Sequence, residues 1–99
     1  MRTQPMDKEK PTTILVIDDD QEDLRLVQKM LNESGNFQVI LAEGGQMGWE
    51  LMNEKRPDVV IMDLFMPDLD GFTLLSNMRS KIELNELPVI VLTGADLTA

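Results

Sequence analysis

Four short apolar runs fix most of what this chain can fold into: Ile14-Leu15-Val16-Ile17, Phe37-Gln38-Val39-Ile40-Leu41, Val59-Val60-Ile61-Met62 and Val89-Ile90-Val91-Leu92. Three of them contain no polar residue. A half-exposed strand alternates apolar and polar side chains. An unbroken branched run instead suits a strand covered on both faces, as in a parallel sheet. Helix-like segments separate the runs, and parallel neighbours need crossovers of that kind. The pattern predicts right-handed β-α-β units and a doubly wound α/β fold.

The intervening segments carry their own signals. Asp20 stands where a helix cap belongs, and Asp23 follows in the first turn, where a carboxylate suits the positive end of the dipole. Leu24, Val27 and Leu31 recur at helical spacing, Leu26 and Met30 widen the stripe, and Gly35 ends it. Glu43-Gly44-Gly45 reads as a turn. Met47, Trp49, Leu51 and Met52 then supply the apolar side of a short helix that Gly48 weakens and Arg56-Pro57 breaks. Trp49 reads as a partly buried anchor, and the methionines mainly as core packing. Leu64 to Gly71 is a loop with proline and glycine punctuation, after which Phe72, Leu75 and Met78 mark a third helix. Residues 1–13 are polar, contain Pro5 and Pro11 and lack periodicity, so they read as a flexible arm ahead of one domain over 14–99.

Composition narrows the chemistry. The formal charge is −9, with 9 basic and 18 acidic residues and no histidine. A nucleic-acid surface needs cations to displace counterions from phosphates, so that partner class is not expected. No apolar run approaches the ~18 residues of a membrane span, and no apolar segment follows the first basic residue as in a secretory signal. A cytoplasmic domain without membrane contact is the expectation. The absence of cysteine and histidine excludes disulfides, thiolate catalysis, Ser-His-Asp triads and the usual zinc sites. Carboxylate chemistry remains, and the metal it suits is a hard cation such as Mg²⁺.

Three of the runs end in a charged or hydrogen-bonding group: the first in Asp18 and Asp19, the third in Asp63, the fourth in Thr93. In an open parallel sheet, ligands bind beyond the carboxyl ends of the strands, where strand order reverses. Three carboxylates gathered there repel one another unless a cation joins them. A lone Asp after a strand is usually a cap or turn residue, which is the reading for Asp20. Asp18, Asp19 and Asp63 taken together favour a site. Glu22, Asp23, Glu33, Glu50 and Glu54 read as solvated helix faces.

The run Ile14 to Asp20, the run Val59 to Asp63 with Met66-Pro67-x-x-Asp70-Gly71 behind it, and Val89 to Gly94 closely resemble the receiver domain of two-component response regulators, from about residue 13 to the end of the chain. The resemblance implies a flavodoxin-like sheet with strand order 2-1-3-4. It also implies a phosphorelay signalling module, not a turnover enzyme. By similarity, Asp63 would accept a phosphoryl group from a histidine kinase or phosphotransfer protein. Asp18, Asp19, Asp63 and the backbone carbonyl of Phe65 would hold Mg²⁺, and the Thr93 hydroxyl would act as the switch. Pro67 and Gly71 would shape the loop that carries the Phe65 carbonyl.

Receivers continue with a fourth helix, a fifth strand ending in Lys-Pro and a fifth helix. No residue here answers to that Lys; Lys81 precedes the fourth run and falls at the other end of the sheet. The chain is therefore expected to be a receiver truncated before its fifth strand, a fragment of a longer one, or one whose fourth-strand edge is satisfied by a second copy. Two other readings fit part of the pattern. A haloacid-dehalogenase-type Mg²⁺-dependent phosphatase would use Asp18 as nucleophile and Asp20 as general acid. A pseudo-receiver would bind partners without being phosphorylated.

Overall fold

The computed structural model describes residues 10–92. The chain runs β1 (Thr12–Asp18), α1 (Gln21–Ser34), β2 (Phe37–Glu43), α2 (Gly45–Lys55), β3 (Val59–Asp63), α3 (Gly71–Arg79) and β4 (Val89–Leu92). The four strands form one sheet in the order β2-β1-β3-β4, and every neighbouring pair is parallel. This is the predicted 2-1-3-4 order. The point at which strand order reverses lies between β1 and β3.

The strands alternate their side chains between two apolar layers. Ile14, Val16 and Ile61 pack with Leu24 of α1 on one face. On the other face, Leu15, Ile17, Val60 and Met62 join Met52 of α2 and Leu74 and Met78 of α3. Both faces of β1 and β3 are covered, so runs without alternation are what the fold requires there. β4, whose unbroken run predicts the same burial, is instead largely exposed among the described residues, because it is the edge of this sheet. Three of the strands extend beyond their apolar runs. β1 begins at Thr12, two residues before its run and inside the span read as an arm, and it extends through Asp18. β2 continues to Glu43. In both cases the parallel ladder carries pairing past the last apolar side chain, Asp18 standing opposite Glu43. β4 coincides with its run, and β3 adds Asp63. Of the arm read over 1–13, residues 1–9 lie outside the described residues.

Asp20 caps α1 by accepting the Glu22 amide at 2.9 Å, and the Gly35 amide closes the helix on the Leu31 carbonyl. Gly45, read as part of a turn, is the first residue of α2. The inner faces of the helices are narrower than their apolar stripes. Leu26 and Met30 of α1 are each 56% exposed, and Met47 of α2 is also exposed. In α3 it is Leu74, fully buried, that enters the core with Met78, whereas Phe72 is 61% exposed. The Asp70 cap sets that phase: its carboxylate takes the Thr73 amide at 2.8 Å, and Gly71 lies against the Leu64 backbone. Trp49 is half-buried, with the Lys81 ammonium 5.6 Å from its ring centroid.

Candidate functional site

β1 and β3 are neighbours, so their carboxyl ends open side by side. One carboxylate oxygen from each of Asp18, Asp19 and Asp63 lies within 4.8 Å of the others. Asp18 and Asp63 are half-buried and Asp19 is exposed. Two of the three are oriented by main-chain amides. Asp18 Oδ1 accepts from the Asp20 N–H at 3.0 Å, and Asp63 Oδ1 accepts from the Phe65 N–H at 3.1 Å.

The cluster is electrostatically strained. Burial, the largest cause, pushes the Asp18 carboxyl up to about 6. The Asp20 amide opposes the rise, and repulsion from Asp63, Asp23 and Asp19 adds to it. A group this poorly solvated and surrounded by like charge favours either a proton or a cation. The donors are all hard oxygens, the set suited to Mg²⁺ or a similar ion, and among the described residues this trio could hold one.

Beside the trio is a cleft of about 300 Å³ lined by Asp18, Asp63, Asp23, Leu26, Val27, Met30 and Leu92. Leu92 stands opposite Asp63 in the β3–β4 ladder. Thr93 follows it in the chain and lies outside the described residues. Phe65 is linked to the site through its amide, and its ring is exposed. Asp20, the general acid of the phosphatase alternative, is committed to capping α1.

Residues 14–98 match the family described as the response regulator receiver domain. The chain belongs to that family. Among curated relatives, response regulator Rre1 of Synechocystis is 34% identical over 89 residues, which is 90% of this chain and 38% of Rre1. A receiver N-terminal domain from Methanoculleus marisnigri JR1 superposes with a TM-score of 0.79 at 32% identity, covering 86% of this chain and 68% of that one. The Mn²⁺-bound form of response regulator Rcp1 gives a TM-score of 0.78 at 27% identity, covering 89% and 70%. The receiver thus spans well under half of Rre1 and about two thirds of each solved chain. It is a two-component receiver module, and nothing in these likenesses supports the phosphatase or the pseudo-receiver reading over it. No helix among the described residues is long and apolar enough to cross a membrane.

One residue of this region was not singled out in the sequence. Asp68 Oδ1 accepts the Gly45 amide and Oδ2 the Gln46 amide, both at 3.0 Å, so it caps α2 from the β3–α3 loop. The signal was present in part: Gly44-Gly45 starts a helix with no capping side chain of its own.

Proposed function

We propose that this receiver accepts a phosphoryl group on Asp63 from a phosphohistidine of a histidine kinase or phosphotransfer protein. An Asp63 carboxylate oxygen attacks phosphorus, the phosphorus–nitrogen bond breaks, and the imidazole leaves with the bonding pair and takes a proton from solvent. The product is an aspartyl phosphate. Such a transfer needs little covalent assistance; it depends on positioning and on neutralising the equatorial oxygens. Asp18, Asp19, Asp63 and the Phe65 carbonyl would hold Mg²⁺, which supplies that neutralisation when bound. The observation that carries this reading is the convergence of three carboxylates on one volume.

The chain's own groups have definite tasks. The Phe65 amide fixes one Asp63 oxygen and leaves the other for attack. The Asp20 amide holds Asp18 in place despite the charge around it. Thr93, which follows the strand paired to β3, is the residue whose hydroxyl would follow the phosphoryl oxygen and bias the loop behind it. A cytoplasmic setting and pairing of two copies along β4, whose Ile90, Val91 and Leu92 are exposed among the described residues, complete the reading. Light scattering tests the pairing, and a monomer at every concentration removes it.

The deciding experiment is incubation with a small phosphodonor and Mg²⁺, followed by intact-mass and peptide mass spectrometry. One phosphoryl group on Asp63, absent from Asp63→Asn, supports the assignment. Label elsewhere, or label that survives Asp63→Asn, rejects it.

A further inference from the structure

The β3–α3 loop is bound to the start of α2 by a carboxylate with no part in the transfer chemistry above. The first amides of a helix lack partners within it. Asp20 and Asp70 meet that need locally for α1 and α3. For α2 the cap position is Gly44, which has no side chain, and the Gly45 and Gln46 amides go to Asp68, some two dozen residues away in sequence. These amide bonds, with the Gln46 one first, hold the Asp68 carboxyl below the usual carboxylate range.

The two glycines make this contact possible. Gly44 has φ +107°, a conformation that side chains rarely adopt, and a Cβ there would lie 3.0 Å from Asp68 Oδ2. A Cβ on Gly45 would run into the Leu69 carbonyl. On its other side, the Gly44 amide donates to the Asp18 carbonyl at 3.0 Å. The first turn of α2 is therefore bonded to the strand end bearing Asp18 and Asp19 and also to the loop bearing Phe65. That loop is fixed at its ends by Phe65 N–H to Asp63 Oδ1 (3.1 Å) and Gly71 N–H to the Leu64 carbonyl (2.8 Å). Asp68 ties its middle.

We propose that Asp68 is a positioning residue for the metal site: through the first turn of α2 it sets the Phe65 segment relative to the acidic end of β1. The inference rests on the metal-binding reading given above. A residue acting only as a helix cap would stabilise α2 and leave the loop alone.

The test compares the parent protein with Asp68→Asn and Asp68→Ala in two measurements. Mn²⁺ binding is followed by electron paramagnetic resonance, and amide hydrogen exchange is followed in the metal-free protein. Partners that orient metal ligands typically contribute 10- to 100-fold in affinity, so Asp68→Ala is expected to weaken Mn²⁺ binding about tenfold. It should also speed exchange at Phe65 and Gly71 as well as at Gly45 and Gln46. Asp68→Asn, which keeps one acceptor oxygen, should fall between. Unchanged Mn²⁺ affinity, or faster exchange confined to Gly45 and Gln46, reduces Asp68 to a cap and overturns the proposal. Should Asp68→Ala not fold, Asp68→Asn is judged on the same two readouts. A parent protein that binds no Mn²⁺ defeats the metal reading itself, and exchange at Phe65 and Gly71 then still decides whether Asp68 holds the loop.

Discussion

Gly48 of α2 faces Ile17 of β1 with no room for a side chain between them: a Cβ on the glycine would lie 2.5 Å from Ile17 Cδ1 and 2.9 Å from Cγ1 and Cγ2. Ile17 is buried in the central strand and cannot swing into solvent. The glycine that weakens the helix by propensity is thus what lets α2 lie close on the sheet.

Gly48→Ala sets two effects against each other. Alanine in a helix interior gains about 1 kcal/mol over glycine. Forcing a methyl into a packed contact costs roughly 1–3 kcal/mol. The contact should win, giving net destabilisation of about 1 kcal/mol in urea unfolding. Adding Ile17→Val removes the nearest methyl and should recover part of the loss. A Gly48→Ala variant more stable than the parent would show that α2 moves off β1 without cost.

Arg79, in the last turn of α3, organises the path to β4. Its Nη1 donates to the carbonyls of Asn85 and Leu87 at 3.1 Å and of Leu84 at 3.4 Å. Leu84 in the same stretch is buried among the core side chains. Hydrogen bonds from a charged donor contribute about 1.5–3 kcal/mol, less where water competes, and Arg79 is exposed. Arg79→Ala should therefore cost about 1–2 kcal/mol and open residues 80–88 to limited proteolysis. Unchanged cleavage there would mean that Leu84 alone pins the segment.

The sheet was legible in the sequence because burial on both faces leaves unbroken runs rich in β-branched residues, too short for a buried helix and without the alternation of a half-exposed strand. Its order came only with the resemblance to receivers, whereas the meeting of Asp18, Asp19 and Asp63 followed from the ends of those runs. The helix faces were less legible. Phe72 fits the apolar period of α3 as well as Leu74 does, and only the anchoring of Asp70 and Gly71 chooses between them. Leu26 and Met30 fit the stripe of α1, yet α1 packs through Leu24 and half-buried Val27 and Leu31. Asp68 was the hardest to see. A cap supplied from another loop leaves no mark at the helix start except a missing capping residue.

Asp63→Asn should separate chemistry from stability. The substitution removes the nucleophile and one of three clustered negative charges, while an amide oxygen can still accept from the Phe65 N–H. Phosphoryl label should vanish. The metal-free variant should at the same time be more stable than the parent at neutral pH, by roughly 0.5–1 kcal/mol, the scale of partly exposed charge pairs. A less stable Asp63→Asn would indicate that the Phe65 hydrogen bond outweighs the repulsion.

The Asp18 carboxyl makes stability and metal binding depend on pH in opposite directions. In the native protein it holds its proton to about pH 6, against an ordinary value of 3.8, with burial as the main cause. Between those values the native state binds more protons than the unfolded chain, so this group's contribution to metal-free stability falls as pH rises from about 4 to 6 and stays at its lower level above. A divalent ion needs the ionised form, so its affinity should be level at pH 7–8 and drop on acidification, approaching about tenfold per unit well below pH 6. Mn²⁺ titrations at pH 5, 6, 7 and 8 read the second effect, and urea unfolding in a chelating buffer reads the first. Asp18→Asn should flatten the stability trend across pH 4–6 while weakening Mn²⁺ at every pH. If that variant keeps the parent's pH profile for stability, the proton sits on another carboxyl of the cluster.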